Sequence, residues 1–236
     1  MSWFAVALWV GCLAPAATTS AAPDPSAPAD ERFEGRRYRV DLPPGKPAGV
    51  VVFLHGRSTN PWVVEREAMA ALSELARRRG LIAVVPLAGR ACSDERLHCW
   101  SLGEIAAEVS WLDGLVDHVE ERAGAGPLER QIIGFSHGGF LLGGALERGL
   151  LGRWARVGVL AGGPVGPPRS EPLQPPPVFL QVGRDDHWQR PTMMRLHRRL
   201  LDRAAPGTVH FREVPGGHQL SAERVTGFLR WFWPAP

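Results

Sequence analysis

Lysine is nearly absent from this sequence. Of the 27 basic residues only Lys46 is a lysine, a bias that reads as genomic base composition rather than chemistry. Against 24 acidic residues they leave a net charge of +3, too weak to argue for a nucleic-acid partner. Cysteine is scarce, with three in the whole chain and no C-x-x-C pair, which argues against a zinc ribbon or a thioredoxin-like redox site. No His, Asp or Glu cluster has metal-ligand spacing, so no metal and no other cofactor is expected. Nor is there the run of roughly 20 apolar residues that a helix needs to cross a bilayer. At 236 residues, 44% of them hydrophobic and 22% charged, the chain suits one sizeable folded core rather than two.

Residues 1–22 have no charged side chain. Trp3 to Leu13 is apolar, and small residues follow from Ala14 to Ala22. That pattern reads as a signal peptide, with cleavage after Ala16 or Ala22, and predicts an exported, periplasmic or secreted protein. Cys12 opens a lipoprotein alternative, against which the Trp9 three residues upstream counts. A Pro/Ala-rich linker over 23–35 then leads to a domain over 36–236. In an exported protein the remaining pair, Cys92 and Cys99, is expected to form a disulfide stapling one polar loop.

Strand and helix signals alternate along the domain. Residues 37–42 alternate apolar and polar, as an antiparallel edge strand does. Gly49–Leu54, Leu81–Val85, Gln131–Phe135, Val157–Ala161 and Val178–Val182 are continuous apolar runs, suited to strands buried on both faces, and 208–214 is a sixth. Helical patterns fill 63–79, 104–122, 140–151, 191–203 and 220–233. This order predicts an α/β fold with a mostly parallel central sheet and helices on both faces. Residues 162–177 carry seven prolines and must run as an extended loop.

Gly134-Phe-Ser-His-Gly138 fits G-x-S-x-G between a strand and a helix, the context of a nucleophile elbow. Serine is a weak nucleophile and needs a base oriented by a third group. His218, in Pro215-Gly-Gly-His218 after the last strand, is the expected base. Gly183-Arg-Asp-Asp186 offers Asp186 as the acid, with Asp185 as the alternative. After the first buried strand, Leu54-His-Gly-Arg57 would place the backbone N–H of Arg57 in an oxyanion hole beside that of His137. His55 is expected to brace this loop rather than act as a base. Trp62, Trp100 and Trp188 follow strand ends and are candidates for lining the cleft, with loop packing the alternative for each. Trp111, Trp154, Trp231 and Trp233 are expected to pack helices onto the sheet.

These motifs, in this order, resemble the α/β-hydrolase superfamily over roughly 36–233. The nearest resemblance is to small secreted serine esterases of the dienelactone-hydrolase, phospholipase/carboxylesterase and polyhydroxyalkanoate-depolymerase-like groups. The resemblance implies ester hydrolysis through an acyl-enzyme without a cofactor, although dienelactone hydrolases proper use a cysteine where this chain has Ser136. The short 162–177 loop occupies the place where related enzymes insert a helical cap, so no cap domain is expected. The expected substrate is a small-molecule or polymer-linked ester, acyl groups on polysaccharides among them, and the protein is expected to be a monomer. A serine peptidase or thioesterase, and a non-catalytic exported binding protein, are the alternatives on the same scaffold.

Overall fold

The structure is a computed structural model that describes residues 29–58, 61–92, 97–167 and 173–234. The expected signal segment, Cys12 and the linker up to 28 lie outside the described residues. The elements in chain order are β1 (Ala29–Phe33), β2 (Arg36–Asp41), β3 (Gly49–Leu54), α1 (Pro61–Arg78), β4 (Leu81–Pro86), β5 (Arg90–Ala91), β6 (His98–Cys99), α2 (Ile105–Arg122), β7 (Glu129–Phe135), α3 (His137–Glu147), β8 (Arg156–Leu160), β9 (Val178–Gly183), α4 (Gln189–Leu201), β10 (Val209–Val214) and α5 (Ala222–Phe232).

Eight of the strands form one sheet in the order β1-β2-β4-β3-β7-β8-β9-β10. From β4 to β10 every neighbour pair is parallel, whereas β1 and β2 are added antiparallel at one edge. The apolar runs account for the parallel part. All six residues of β3 and of β4 are buried, as strands covered on both faces must be.

Handedness assigns the helices to faces. The step from β3 to β4 runs one way along the sheet, and the later steps β4 to β7, β7 to β8 and β9 to β10 run the other way. Right-handed crossovers therefore place α1 on one face and α2, α3 and α4 on the opposite one. After β10, α5 returns to pack against α1. The reversal falls between β3 and β7, and the crevice outside the carboxyl ends of those strands is where open α/β sheets hold ligands.

Two expectations change at the amino-terminal edge. The sheet begins at Ala29, not at residue 36, because 29–33 of the supposed linker pairs in register with β2, Ala29 opposite Val40 and Phe33 opposite Arg36. Consequently β2 is not the edge strand. Its Tyr38 is fully buried, and its outer side is covered by β1. The charges of Asp30, Glu31 and Arg32 hid this strand, since exposed charges are how an edge strand avoids pairing with another chain. A second difference is the two-stranded ribbon of β5 and β6, too short to show any hydrophobic period. Among the described residues of 161–177 there is no helix. Trp111, Trp154 and Trp233 are buried in the core, and Trp231 packs against its margin.

Candidate active site

Ser136 sits between β7 and α3, which starts at His137 rather than at residue 140. Its backbone has φ +52° and ψ −112°, a conformation that side-chain-bearing residues rarely adopt and that costs on the order of 1–3 kcal/mol. Neighbouring bonds enforce it. Ser136 N–H donates to the Leu160 carbonyl at 2.9 Å, Gly138 N–H to the His55 carbonyl at 3.1 Å, and Phe140 N–H to the Ser136 carbonyl at 2.8 Å. The flanking glycines are sterically required. A Cβ on Gly134 would lie 2.5 Å from the Gly138 carbonyl oxygen, and one on Gly138 would lie 2.6 Å from the Leu54 carbonyl oxygen.

The structure brings Ser136, His218 and Asp186 together from three strand ends. His218 Nε2 is 2.9 Å from Ser136 Oγ, and His218 Nδ1 is 2.7 Å from Asp186 Oδ2. Asp186 is 2% exposed, and its other oxygen accepts the Gln189 N–H at 3.0 Å at the start of α4. A carboxylate so placed fixes the proton of His218 on Nδ1 and leaves Nε2 to accept from the serine. Asp185 has a different task. It is exposed, and its Oδ2 accepts the Gly216 N–H at 3.2 Å, tying the two loops together. The His218 ring stacks on Phe135 at 5.2 Å between centroids. Its loop is gripped by Arg224 of α5, whose guanidinium donates to the carbonyls of Gly217 at 2.5 Å, Gln219 at 3.0 Å and Pro215.

The loop after β3 lies against the serine, since a Cβ on Gly56 would come within 3.1 Å of the Ser136 Cβ. Neither the Arg57 N–H nor the His137 N–H donates a hydrogen bond among the described residues. His55 is buried. Its Nε2 accepts the Ala88 N–H at 2.9 Å, so Nδ1 carries the proton and donates to the Gly56 carbonyl at 2.6 Å. Burial pushes its pKa down to about 4, with the Gly56 bond opposing and His98 and His137 adding to the depression. Burial also lowers the pKa of His137, helped by the nearby Arg57 guanidinium. A cleft of about 240 Å³ is lined by this loop, Phe135, Ser136, His218, Gln219 and Leu220.

The tryptophans divide. Trp188 is 86% exposed, just after the acid-bearing turn. Trp100 is not a cleft residue. It is 2% exposed, and its Nε1–H donates to the His55 carbonyl at 2.9 Å, because a buried indole N–H must find an acceptor. Trp62 lies in α1, and its side chain is outside the described ones. Cys92 and Cys99 are joined in a disulfide, with Cα atoms 5.6 Å apart. Sequence reasoning missed Arg224, for which no local signal exists, whereas for Trp100 it is the loop-packing alternative that the structure shows. No group of three His, Cys, Asp or Glu among the described residues is placed to hold a metal. None of the described helices is long and apolar enough to cross a membrane.

No protein-family model matches the chain, and no curated protein matches it in sequence. Solved structures do match in fold. A carboxylesterase from Bacillus cereus superposes with a TM-score of 0.64 at 14% identity, covering 84% of this chain and 93% of that one. An α/β serine hydrolase without lid from Xanthomonas campestris gives 0.60 at 18%, covering 90% and 99%. Esterase PE8 gives 0.58 at 21%, covering 82% and 97%. The chain therefore has the α/β-hydrolase fold.

Proposed function

We propose that this α/β-hydrolase-fold chain is a serine hydrolase that cleaves carboxylic esters through an acyl-enzyme. The observation that carries the reading is the hydrogen-bonded line from Asp186 through His218 to Ser136, on a turn whose strained backbone holds the serine forward. Structural neighbours that are esterases support the hydrolase class.

In this mechanism Ser136 Oγ attacks the ester carbonyl while His218 Nε2 takes its proton. Asp186 holds the imidazole in the right tautomer and stabilises the imidazolium without itself taking up the proton. Negative charge then develops on the former carbonyl oxygen. The N–H groups of Arg57 and His137 receive it, and each such donor is worth about 10²–10³ in rate. His218 returns the proton to the departing alcohol, and a water activated by the same nitrogen hydrolyses the acyl group from Ser136. Trp188 is not among the residues lining the cleft, but it is exposed two positions after Asp186 and is the aromatic face proposed for a flat acyl group or a sugar ring.

Hydrolysis of p-nitrophenyl acetate and butyrate, abolished in Ser136→Ala, is the direct test. Thioester and peptide substrates run alongside separate the related acyl-transfer chemistries. A folded protein with neither esterase turnover nor fluorophosphonate labelling of Ser136 would overturn the proposal. On the same reading, an export signal at 1–22 is proposed from its sequence pattern, and N-terminal sequencing of the secreted protein tests it.

A further inference from the structure

We infer that the disulfide-closed ribbon of β5 and β6 is the positioning element of the oxyanion side of the site, so that turnover depends on the Cys92–Cys99 bond. The inference rests on the serine-hydrolase reading above and adds a residue set that it does not need.

Three consecutive residues carry the argument. His98 pairs antiparallel with Ser58, His98 N–H donating to the Ser58 carbonyl at 2.9 Å and Ser58 N–H to the His98 carbonyl at 3.4 Å. Ser58 directly follows Arg57. Cys99 is next and is covalently tied to Cys92. Trp100 then makes two bonds inward, its backbone N–H to His137 Nδ1 at 3.3 Å and its indole N–H to the His55 carbonyl at 2.9 Å. The same His55 carbonyl accepts from Gly138 N–H, and the His55 ring lies 5.3 Å from the Trp100 ring. Segment 98–100 thus touches both residues proposed to hold the oxyanion, or their immediate neighbours.

The disulfide is the covalent closure of a ribbon that is otherwise joined by hydrogen bonds, among the described residues Cys92 N–H to the Leu97 carbonyl at 2.9 Å. Each strand is two residues long, paired as Arg90 with Cys99 and Ala91 with His98, and an isolated ribbon of that size is marginal in water. Beyond Trp100 the chain is anchored. Ser101 N–H donates to Glu108 at 3.0 Å, and Glu108 is paired with Arg36. The arm that reaches Ser58, at His98, therefore stands directly before the covalent tie at Cys99, with the attachment at Ser101 on the far side of it. A dithiol reductant would supply two electrons and two protons, leaving two cysteine thiols and a cyclic disulfide of its own. It would free the arm without altering Ser136, His218 or Asp186.

The test compares oxidised protein, protein reduced with dithiothreitol, the Cys92→Ser/Cys99→Ser double variant, and Trp100→Phe, which keeps the disulfide and the ring but loses the indole donor. Free-thiol titration and circular dichroism confirm reduction and folding, and kcat, KM and the fluorophosphonate labelling rate of Ser136 are read. Loss of preorganised donors lowers the rate of bond formation rather than ground-state binding, so reduction and the double variant should lower kcat and labelling by about 10-fold to 100-fold. KM should stay within about twofold, and the pH profile of kcat/KM set by His218 should not move. Trp100→Phe should show a smaller loss of the same kind. Reduced, folded protein with undiminished kcat and labelling overturns the inference. So does a loss confined to KM, or full activity in Trp100→Phe and the double variant alike. If oxidised protein shows no Ser136-dependent turnover or labelling at all, it is the serine-hydrolase reading that fails.

Discussion

The two halves of the site are held by different means. The proton-relay half, Ser136 with His218 and Asp186, is built on the ends of sheet strands and locked by main-chain bonds from the core. The proposed oxyanion half joins His137, at the start of α3 in the same elbow, to Arg57, whose loop after β3 is supported from outside the sheet through His55, Trp100 and a two-residue ribbon. A reaction needs both at once. The first half is fixed by the topology that folds the domain, whereas the second is tuned by local additions. Replacing a reacting group of the first should therefore be severe, and loosening a support of either half graded.

Breaking the relay should have the largest effect. His218→Ala leaves Ser136 without a base, and kcat for p-nitrophenyl butyrate should fall by about 10⁶, with KM little changed. Asp186→Asn should lower kcat by about 10⁴ through the wrong tautomer, while Asp185→Asn stays within about tenfold, since among the described residues the Asp185 carboxylate accepts the Gly216 N–H and not His218. Equal losses in the two variants would erase the assignment of the acid.

On the oxyanion side, His55 links site geometry to stability. Its folded pKa of about 4 lies below the ordinary 6.5, so between those values the unfolded chain binds a proton that the folded one does not. Stability from this group is present above pH 6.5 and is lost as pH falls toward 4, by about 3 kcal/mol in total. Urea unfolding at pH 7 and pH 4.5 should show that loss, and His55→Gln should reduce the slope. An unchanged slope in the variant would show that the buried ring does not titrate as described.

The smallest effect is expected where the relay depends on a single side chain from a helix. Arg224→Lys removes the fork that holds the carbonyls of 215, 217 and 219, and should lower kcat by about tenfold without a comparable rise in KM. Added guanidinium should restore part of an Arg224→Ala loss. A pure stability role would instead show full activity at low temperature.

The same division runs through what could be read from the sequence. Strands β3, β4, β7, β8 and β9 announce themselves as apolar runs, because burial on both faces favours apolar side chains, with Arg130, Gln131 and Gln181 the buried polar exceptions. The elbow is equally legible, since only glycine fits at 134 and 138. The edge strand β1 is not, because its charges are what an edge requires and look like a linker. Nor was the buried place of Trp100, whose position after Cys99 suits a cleft wall as well as a core wedge. Which it becomes depends on an acceptor 45 residues away in sequence. Cys92 and Cys99 signalled a staple, but not that the stapled loop leans on Ser58.

In the proposed mechanism Ser136 forms the covalent intermediate. Mass spectrometry of protein acid-quenched during p-nitrophenyl butyrate turnover tests it most directly. One butyryl adduct is expected, mapped to Ser136 and absent from His218→Ala. Turnover by folded protein with Ser136 unmodified and unnecessary, or an acyl group mapped to another residue, would contradict it.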